Sequence, residues 1–222
     1  MIPSNFIRKC KECSGHINQP TLRTSNLIGA VQWTDGKTDA PMRPIYPELV
    51  ECPHCHSVLW IEDQEIIGRR YEYFMPLSLC LSPKKRFREE MRRKNQKRPI
   101  DLSADDYYRY LDTVLLEPDR EVYVRKYLWR LENDRRRYDR CKKYRHYSKR
   151  EKRNMLVLER ILDDSEDINR LIKAEIHREL GDFDQTLVHL RKPFKEKFNI
   201  AAERIRALAK AGERCVRTLV DL

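Results

Sequence analysis

The chain has 222 residues, of which 40% are apolar and 36% are charged, and its formal net charge is +11. The charged share lies well above the usual value of about 25%, and the chain has only 6 glycines, which argues against a thick sheet core or a turn-rich β protein. No stretch approaches the roughly 20 apolar residues that cross a bilayer, and the first residues show no secretory pattern. We therefore expect a mainly helical cytoplasmic protein.

Two Cys-x-x-Cys pairs, Cys10 with Cys13 and Cys52 with Cys55, lie in the first quarter of the chain. Each pair places two thiolates on one tight turn, and two such turns together complete a tetrahedral sulfur site for one zinc ion. Because four sulfurs fill the coordination sphere, this zinc would be structural and leave no position for a reacting water. The alternatives are four unbound thiols, or a redox dithiol, which needs a thioredoxin-like context that this chain lacks.

Three histidines, His16, His54 and His56, stand close to these cysteines and offer an alternative ligand. Since four sulfurs are already present, we expect the histidines to form hydrogen bonds nearby instead. The three remaining cysteines are isolated, a pattern that suits a reducing compartment better than a disulfide framework. They are Cys80, Cys141 and Cys215.

Residues 1–75 are predicted to form a zinc-ribbon module. Leu27–Trp33 is typical of a strand and Thr34–Lys37 of a turn, and Val58–Glu62 predicts a second strand after the second cysteine pair. The insert between the pairs, residues 14–51, is longer than in the commonest four-cysteine fingers, so the ribbon should be an elaborated one. Trp33 and Trp60 are expected to anchor its core.

Residues 76–222 are predicted to form a helical domain. A buried connector over Tyr71–Leu81 should lead to a helix over Lys84–Lys97. Ser148 precedes Glu151 by three residues, the spacing of a reciprocal capping box. Ser103 as a capping residue and Pro118 as a first-turn proline indicate two further helix starts. The helix from Pro118 is expected to extend to about Tyr147.

Residues 167–198 show two apolar helical faces separated by Gly181-Asp182-Phe183. This segment resembles a tetratricopeptide hairpin, in which a glycine-aspartate-aromatic turn joins two helices with small residues at their contact. Ala174 matches the first small position and Thr186 stands at the second, whereas Arg170 replaces the family's common tryptophan. The resemblance implies neighbouring helices that complete the stack, because one hairpin cannot bury its own face.

The order of the ribbon segment Gln32–Lys37, the Cys52-Pro53-His54-Cys55 turn with Trp60, and Leu180–Phe183 also resembles a group of uncharacterised bacterial proteins. These have an N-terminal four-cysteine zinc ribbon and a C-terminal tetratricopeptide-like helical region. The resemblance implies no known activity.

The positive charge is concentrated in two runs. Residues 84–98 hold nine Lys/Arg against two acids, and residues 125–153 hold fourteen against four. Cations mixed with tyrosines suit phosphate contacts and base stacking in nucleic-acid binding. Two alternatives stay open: the arginines pair with nearby acids on a solvated helix face, or the basic runs bind an acidic protein partner. The candidate contacts to nucleic acid or an acidic partner are Arg136, Arg137, Arg140, Lys143 and Arg145.

Motifs for catalysis are absent from the sequence: it has no phosphate loop, no G-x-G-x-x-G, no H-E-x-x-H and no nucleophile elbow. His177 and His189, on the hairpin, are interpreted as packing or surface residues. We therefore predict no catalytic residues and a non-enzymatic adaptor that binds a protein or peptide through its helical domain. The alternative is a nucleic-acid-binding protein that uses the basic helices of residues 84–98 and 125–153.

Overall fold

The computed structural model describes residues 4–21, 26–71, 95–137 and 146–220. The chain divides into two compact units, the first from Met1–Ile28 and Ala40–Ser103 and the second from Gly29–Asp39 and Ala104–Leu222. The sequence predicts a ribbon module of residues 1–75; in this division the first unit continues to Ser103, and a short segment, Gly29–Asp39, belongs to the second unit.

The first unit contains two antiparallel sheets, each with a cysteine turn between two of its strands. In the three-stranded sheet, of order β2-β1-β7, the first turn joins β1 to β2; in the other, the second turn joins β5 to β6. The predicted strand Val58–Glu62 is confirmed in its first half and then becomes a 3-10 turn, Ile61–Asp63. The strands are β1 Ser4–Lys9, β2 His16–Thr21, β5 Leu49–Glu51, β6 Val58–Trp60 and β7 Glu65–Tyr71.

One apolar cluster of this unit surrounds two of the cysteines. Ile17, Val50, Leu59 and Ile61 pack around the buried Cys10 and Cys52. A metal ion held by the cysteines would cross-link this cluster. The position of two cysteines inside the core shows where such a cross-link would act.

The second unit contains six α-helices among the described residues, in line with the predicted helical class. Helices adjacent in the chain pack on one another from α1 to α6, and α4 also packs on α6. Within the described part of the chain, no helix is both long enough and apolar enough to cross a bilayer. The helices are α1 Ala104–Thr113, α2 Pro118–Asn133, α3 Lys149–Ile161, α4 Asp167–Leu180, α5 Phe183–His189 and α6 Asn199–Lys210.

Local capping signals place the helix starts where the sequence predicts them. Pro118 occupies the first turn of α2. The Ser148 hydroxyl accepts from the Glu151 amide at 3.2 Å, and the Glu151 carboxylate accepts from the Ser148 amide at 2.6 Å, which completes the capping box. However, α2 ends at Asn133 and does not reach Tyr147, because the chain passes into a 3-10 turn and then an extended Arg137.

A hairpin of α4 and α5 occupies the segment that resembles a tetratricopeptide. Gly181 takes a left-handed conformation (φ +90°), and the Asp182 amide donates to the His177 carbonyl at 2.8 Å, which closes α4. Ala174 and Thr186 are fully buried at the helix contact. Helix α5 has only seven residues, so the structure confirms a helical hairpin but not a tetratricopeptide arrangement.

A two-stranded hairpin, β3 Val31–Gln32 with β4 Thr38–Asp39, belongs to the helical unit. Trp33 is buried here, against the prediction that it anchors the ribbon, and it forms a bridge with Thr218. Trp60 is buried in the ribbon unit, as expected.

The tip of this hairpin joins a buried polar network on α2 and α4. Asn133 Nδ2 donates to Asp35 Oδ2 at 3.3 Å and to Glu179 Oε1 at 3.0 Å, and Glu179 also accepts from Trp129 Nε1 and Tyr147 Oη. Burial raises the pKa of Glu179 from 4.5 to about 8, and the charges of Glu175 and Asp35 act in the same direction. Burial therefore favours the protonated form of the Glu179 carboxyl in the folded protein.

Replacing Glu179 with glutamine is expected to remove a pH dependence of stability. Because the unfolded chain ionises Glu179 at about 4.5 and the folded one only at about 8, the carboxyl binds more protons in the folded state between these values, and its contribution to stability falls as pH rises. The free energy of unfolding of both proteins can be measured in urea at pH 5 and at pH 8. We expect the wild-type value minus the variant value to be lower at pH 8 than at pH 5 by more than about 1.4 kcal/mol. A constant difference would mean that Glu179 is ionised in the folded protein.

Candidate functional site

Two turns with the same hydrogen-bond pattern carry the four cysteines. In the first, the Cys10 amide donates to the Gly15 carbonyl and the Ser14 amide donates to the Cys10 carbonyl, both at 2.9 Å. The second turn, Cys52–Ser57, repeats the two bonds at 2.9 and 3.0 Å. Each turn thus folds back on its first cysteine and brings both of its sulfurs to one side.

Backbone conformation and a close approach support this geometry. Ser14 and His56, the residues that follow each pair, both have positive φ angles, 59° and 63°. A Cβ on Gly15 would lie within 3.0 Å of the His54 ring, so only glycine allows the two turns to approach so closely. His54 Nε2 lies 3.1 Å from the His16 carbonyl oxygen, which ties the second turn to the first.

The four sulfur atoms form a compact cluster. Cys10 Sγ lies 3.9 Å from Cys55 Sγ, Cys13 Sγ lies 3.8 Å from Cys52 Sγ, and all four lie within 4.8 Å of one another. A tetrahedral ion with metal–sulfur bonds of about 2.3 Å needs sulfur separations of about 3.8 Å. The four cysteines can therefore hold a metal ion, as the sequence predicts.

Protonation of the cluster depends on burial and on Ser57. Burial raises the pKa of Cys52 to about 12. Hydrogen bonds with the Ser57 hydroxyl and amide lower the pKa of Cys55 to about 6, and the hydroxyl lies 3.4 Å from the sulfur. A cation at the centre would replace the remaining thiol protons, so metal binding should weaken as pH falls.

Residues distant in the sequence brace the cysteine turns. The Gln64 side chain accepts a hydrogen bond from the Lys11 backbone amide through Oε1 at 2.9 Å and donates one to the Trp60 carbonyl through Nε2 at 3.0 Å. It thereby connects the first turn to β6. Arg8 Nη1 donates to the Gln64 carbonyl at 2.7 Å. Neither residue could be identified from the sequence, because neither stands in a motif.

The rings of His54 and His56 form hydrogen bonds, consistent with their predicted role beside four sulfur ligands, and His16 takes part through its backbone carbonyl. His54 contacts the first turn, and His56 Nδ1 lies 2.5 Å from Glu51 Oε1. Cys215 differs from the expectation of an isolated thiol, since it is disulfide-bonded. Cys80 and Cys141 lie outside the described residues.

Two of the five candidate contacts for nucleic acid are buried. Arg136 is 4% exposed and lies over the Tyr147 ring, with its Nη2 2.7 Å from Glu151 Oε1. Arg137 is 1% exposed, and its Nη2 lies 2.6 Å from Asp35 Oδ2. Each of these two guanidinium groups is occupied by an internal carboxylate and offers almost no surface to a nucleic acid or an acidic partner. Arg140, Lys143, Arg145 and most of the run 84–98 lie outside the described residues.

A cleft of about 450 Å³ on the helical unit is lined by side chains of α1, α2 and α3. It combines four arginines with two aspartates, Asp105 and Asp112, and includes Tyr108 and Leu111. Arg150 lies over the Tyr108 ring at 4.5 Å, while the Tyr108 hydroxyl is buried and has no hydrogen-bond partner among the described residues. The arginines are Arg109, Arg125, Arg150 and Arg153.

The chain matches no known family model, no curated protein and no solved structure. The two resemblances noted in the sequence therefore depend on the quoted residues alone. Function has to be inferred from the cysteine cluster and from the surface of the helical unit.

Proposed function

We propose that this chain is a non-enzymatic zinc-ribbon protein that acts as an adaptor and binds an acidic segment of a protein partner through its helical unit. The ion held by Cys10, Cys13, Cys52 and Cys55 would be one structural zinc, which thiolate ligands favour. The site has four protein ligands, so the role of this ion is to fold the ribbon.

The observation that carries the binding proposal is the arginine-rich cleft of α1, α2 and α3. Arg150 and Arg153 are exposed at its edge, on the first turns of α3. Arg150 Nη1 lies 2.5 Å from Asp105 Oδ1, but this ion pair is exposed to solvent. A carboxylate-bearing peptide can therefore compete with Asp105 for Arg150 and form a charge-assisted hydrogen bond with Arg153. Tyr108 and Leu111 offer apolar contact in the same cleft, as a peptide side chain requires.

The mixed lining favours a protein segment over nucleic acid. Asp105 and Asp112 face the same cleft as the arginines, and their carboxylates would repel a continuous phosphate backbone. A peptide can place a basic or neutral residue opposite them. The burial of Arg136 and Arg137 removes two cations from the surface that nucleic acid would need.

The test is fluorescence anisotropy with a labelled peptide rich in Glu and Leu, compared with a lysine-containing counterpart and a single-stranded oligonucleotide. The double substitution Arg150→Glu with Arg153→Glu should weaken binding of the acidic peptide at least about tenfold, equivalent to 1.4 kcal/mol. Lys152→Glu with Arg160→Glu is the matched control, since it reverses two exposed charges of the same helix outside the cleft lining.

Tighter binding of the oligonucleotide, lost in the cleft variant and falling steeply with salt, would replace the proposal by the nucleic-acid alternative. Absence of binding by both probes, or equal losses in the cleft and control variants, would contradict a role for the cleft.

A further inference from the structure

Three side chains with metal-binding atoms meet on the helical unit. They come from three helices: Glu159 from α3, His177 from α4 and His189 from the end of α5. One ligand atom from each lies within 4.8 Å of the others, and all three residues are partly buried. The sequence places both histidines on the hairpin and predicts packing or surface roles for them; the structure adds Glu159 as their neighbour.

His177 is oriented for coordination through one ring nitrogen. Its Nδ1 lies 3.6 Å from Asp182 Oδ2, and its Nε2 lies 4.0 Å from Glu159 Oε1. The distance to Asp182 is too long for a hydrogen bond, but this carboxylate lies on the Nδ1 side of the ring and leaves Nε2 towards Glu159. A small approach of Asp182 would give the arrangement in which a carboxylate positions a metal-binding histidine. The His189 ring stacks on His177 with 5.2 Å between centroids, which places both imidazoles in the same cluster.

The charges around the cluster favour a cation. Glu159, Asp164 and Asp182 contribute three carboxylates, and Lys173 contributes one ammonium. Lys173 Nζ is 2.8 Å from Asp164 but 3.8 Å from Glu159, so its closer partner is the carboxylate outside the trio. With neutral imidazoles, these groups carry a net negative charge.

We propose that Glu159, His177 and His189 form a second metal site, for a divalent ion of the Zn²⁺, Co²⁺ or Ni²⁺ class. Two imidazoles with one carboxylate suit these metals better than Mg²⁺ or Ca²⁺, which prefer oxygen ligands. The two imidazole planes lie at 23° to each other, so binding requires the rings to rotate until their in-plane lone pairs point at one ion, with metal–ligand bonds of about 2.0–2.2 Å. Three protein ligands leave a position for water or for a donor from a bound molecule, in contrast to the closed four-cysteine site.

The experiment uses the full chain with its cysteine site loaded with zinc, titrated with Co²⁺. We expect one additional equivalent to bind by calorimetry and to give ligand-field absorption without a thiolate-to-cobalt charge-transfer band, because no sulfur belongs to this trio. Excess Co²⁺ should also raise the thermal unfolding temperature, since the ion joins three helices of the folded state.

Single substitutions separate this site from other histidines. Glu159→Gln and His189→Ala should each weaken the additional Co²⁺ by more than about tenfold and abolish the thermal shift. His146→Ala, at an exposed histidine outside the trio, is the control and should change neither. Lys173→Met should tighten Co²⁺ binding, because it removes the nearby positive charge; a purely structural role for the trio predicts no such gain.

Absence of an additional equivalent in the wild-type chain would overturn the proposal. So would an additional equivalent that persists in both Glu159→Gln and His189→Ala, or one that appears with a thiolate charge-transfer band. None of these outcomes depends on binding at the arginine cleft.

Discussion

Replacing Cys52 with serine is expected to abolish zinc binding and to unfold the ribbon unit. Cys52 is buried in an apolar cluster of that unit, and structural zinc in small zinc-binding domains contributes an apparent free energy of about 10–16 kcal/mol. This exceeds or equals the whole stability of most domains, about 5–15 kcal/mol. Native mass spectrometry should find one zinc per wild-type chain and none in the variant, and amides of β1 and β2 should lose protection from hydrogen exchange.

Two histidine variants serve as matched controls for Cys52→Ser. His54→Ala and His56→Asn change residues beside the sulfurs, and asparagine tolerates the positive φ of His56. Both should keep one zinc, since the four sulfurs provide a complete ligand set. Loss of zinc in either variant would make that histidine a ligand, and full amide protection in Cys52→Ser would show that the ribbon folds without its ion.

The cysteine site is the part of this protein that could be predicted best from sequence. Its cysteine ligands lie on two short turns, and the two-residue spacing within each Cys-x-x-Cys pair fixes the position of its two sulfurs locally. The same holds for the capping box of Ser148 and Glu151, where the interacting atoms are three residues apart. Interactions between residues only a few positions apart appear as sequence motifs, because the short segment between the partners allows few conformations.

The position of the β3–β4 hairpin could not be predicted in this way. Trp33 precedes the second cysteine pair in the chain and therefore looked like part of the ribbon. Its actual location depends on Asp35, whose partners Asn133 and Arg137 are about a hundred residues away. No local pattern marks a contact across such a distance.

The net charge of a segment does not show that Arg136 and Arg137 are buried, for a related reason. A net charge of +10 over residues 125–153, from fourteen Lys/Arg and four acids, suggests a basic surface. It does not show which cations have carboxylates opposite them. Glu151 and Asp35 neutralise these two arginines inside the helical unit. Arg150 and Arg153 are exposed at the cleft, and the pair that Arg150 forms with Asp105 is itself exposed to solvent. The functional question therefore concerns individual arginines more than the total charge.

Arg137→Met is expected to destabilise the helical unit by about 3–5 kcal/mol, the usual loss when one partner of a buried ion pair is removed. Arg137 donates to both carboxylate oxygens of Asp35, at 3.3 and 2.6 Å, and to Asp134 at 2.8 Å. It also lies over the Trp33 ring at 4.8 Å. Without the guanidinium, the fully buried Asp35 would have to carry an uncompensated charge or take up a proton.

A double-mutant cycle identifies the source of this loss. Asp35→Asn keeps an acceptor for Asn133 while removing the charge, so Asp35→Asn with Arg137→Met should be more stable than the sum of the single losses by at least about 1 kcal/mol. Arg109→Met is the matched control, because it removes an exposed ion pair with Asp106 and should cost less than about 1 kcal/mol. Unfolding in urea measures all four variants.

The Arg137→Met variant also distinguishes a buried positive charge from an exposed one. Arg137 is shielded from solvent, so Arg137→Met should elute from heparin at the same salt concentration as the wild-type chain, as long as the measurement is made where both are folded. Arg150→Glu with Arg153→Glu should elute earlier, because those two guanidinium groups face solvent. Earlier elution of the folded Arg137→Met variant, or an additive double-mutant cycle, would contradict the internal Asp35–Arg137 pair and return Arg137 to the surface that a partner can contact.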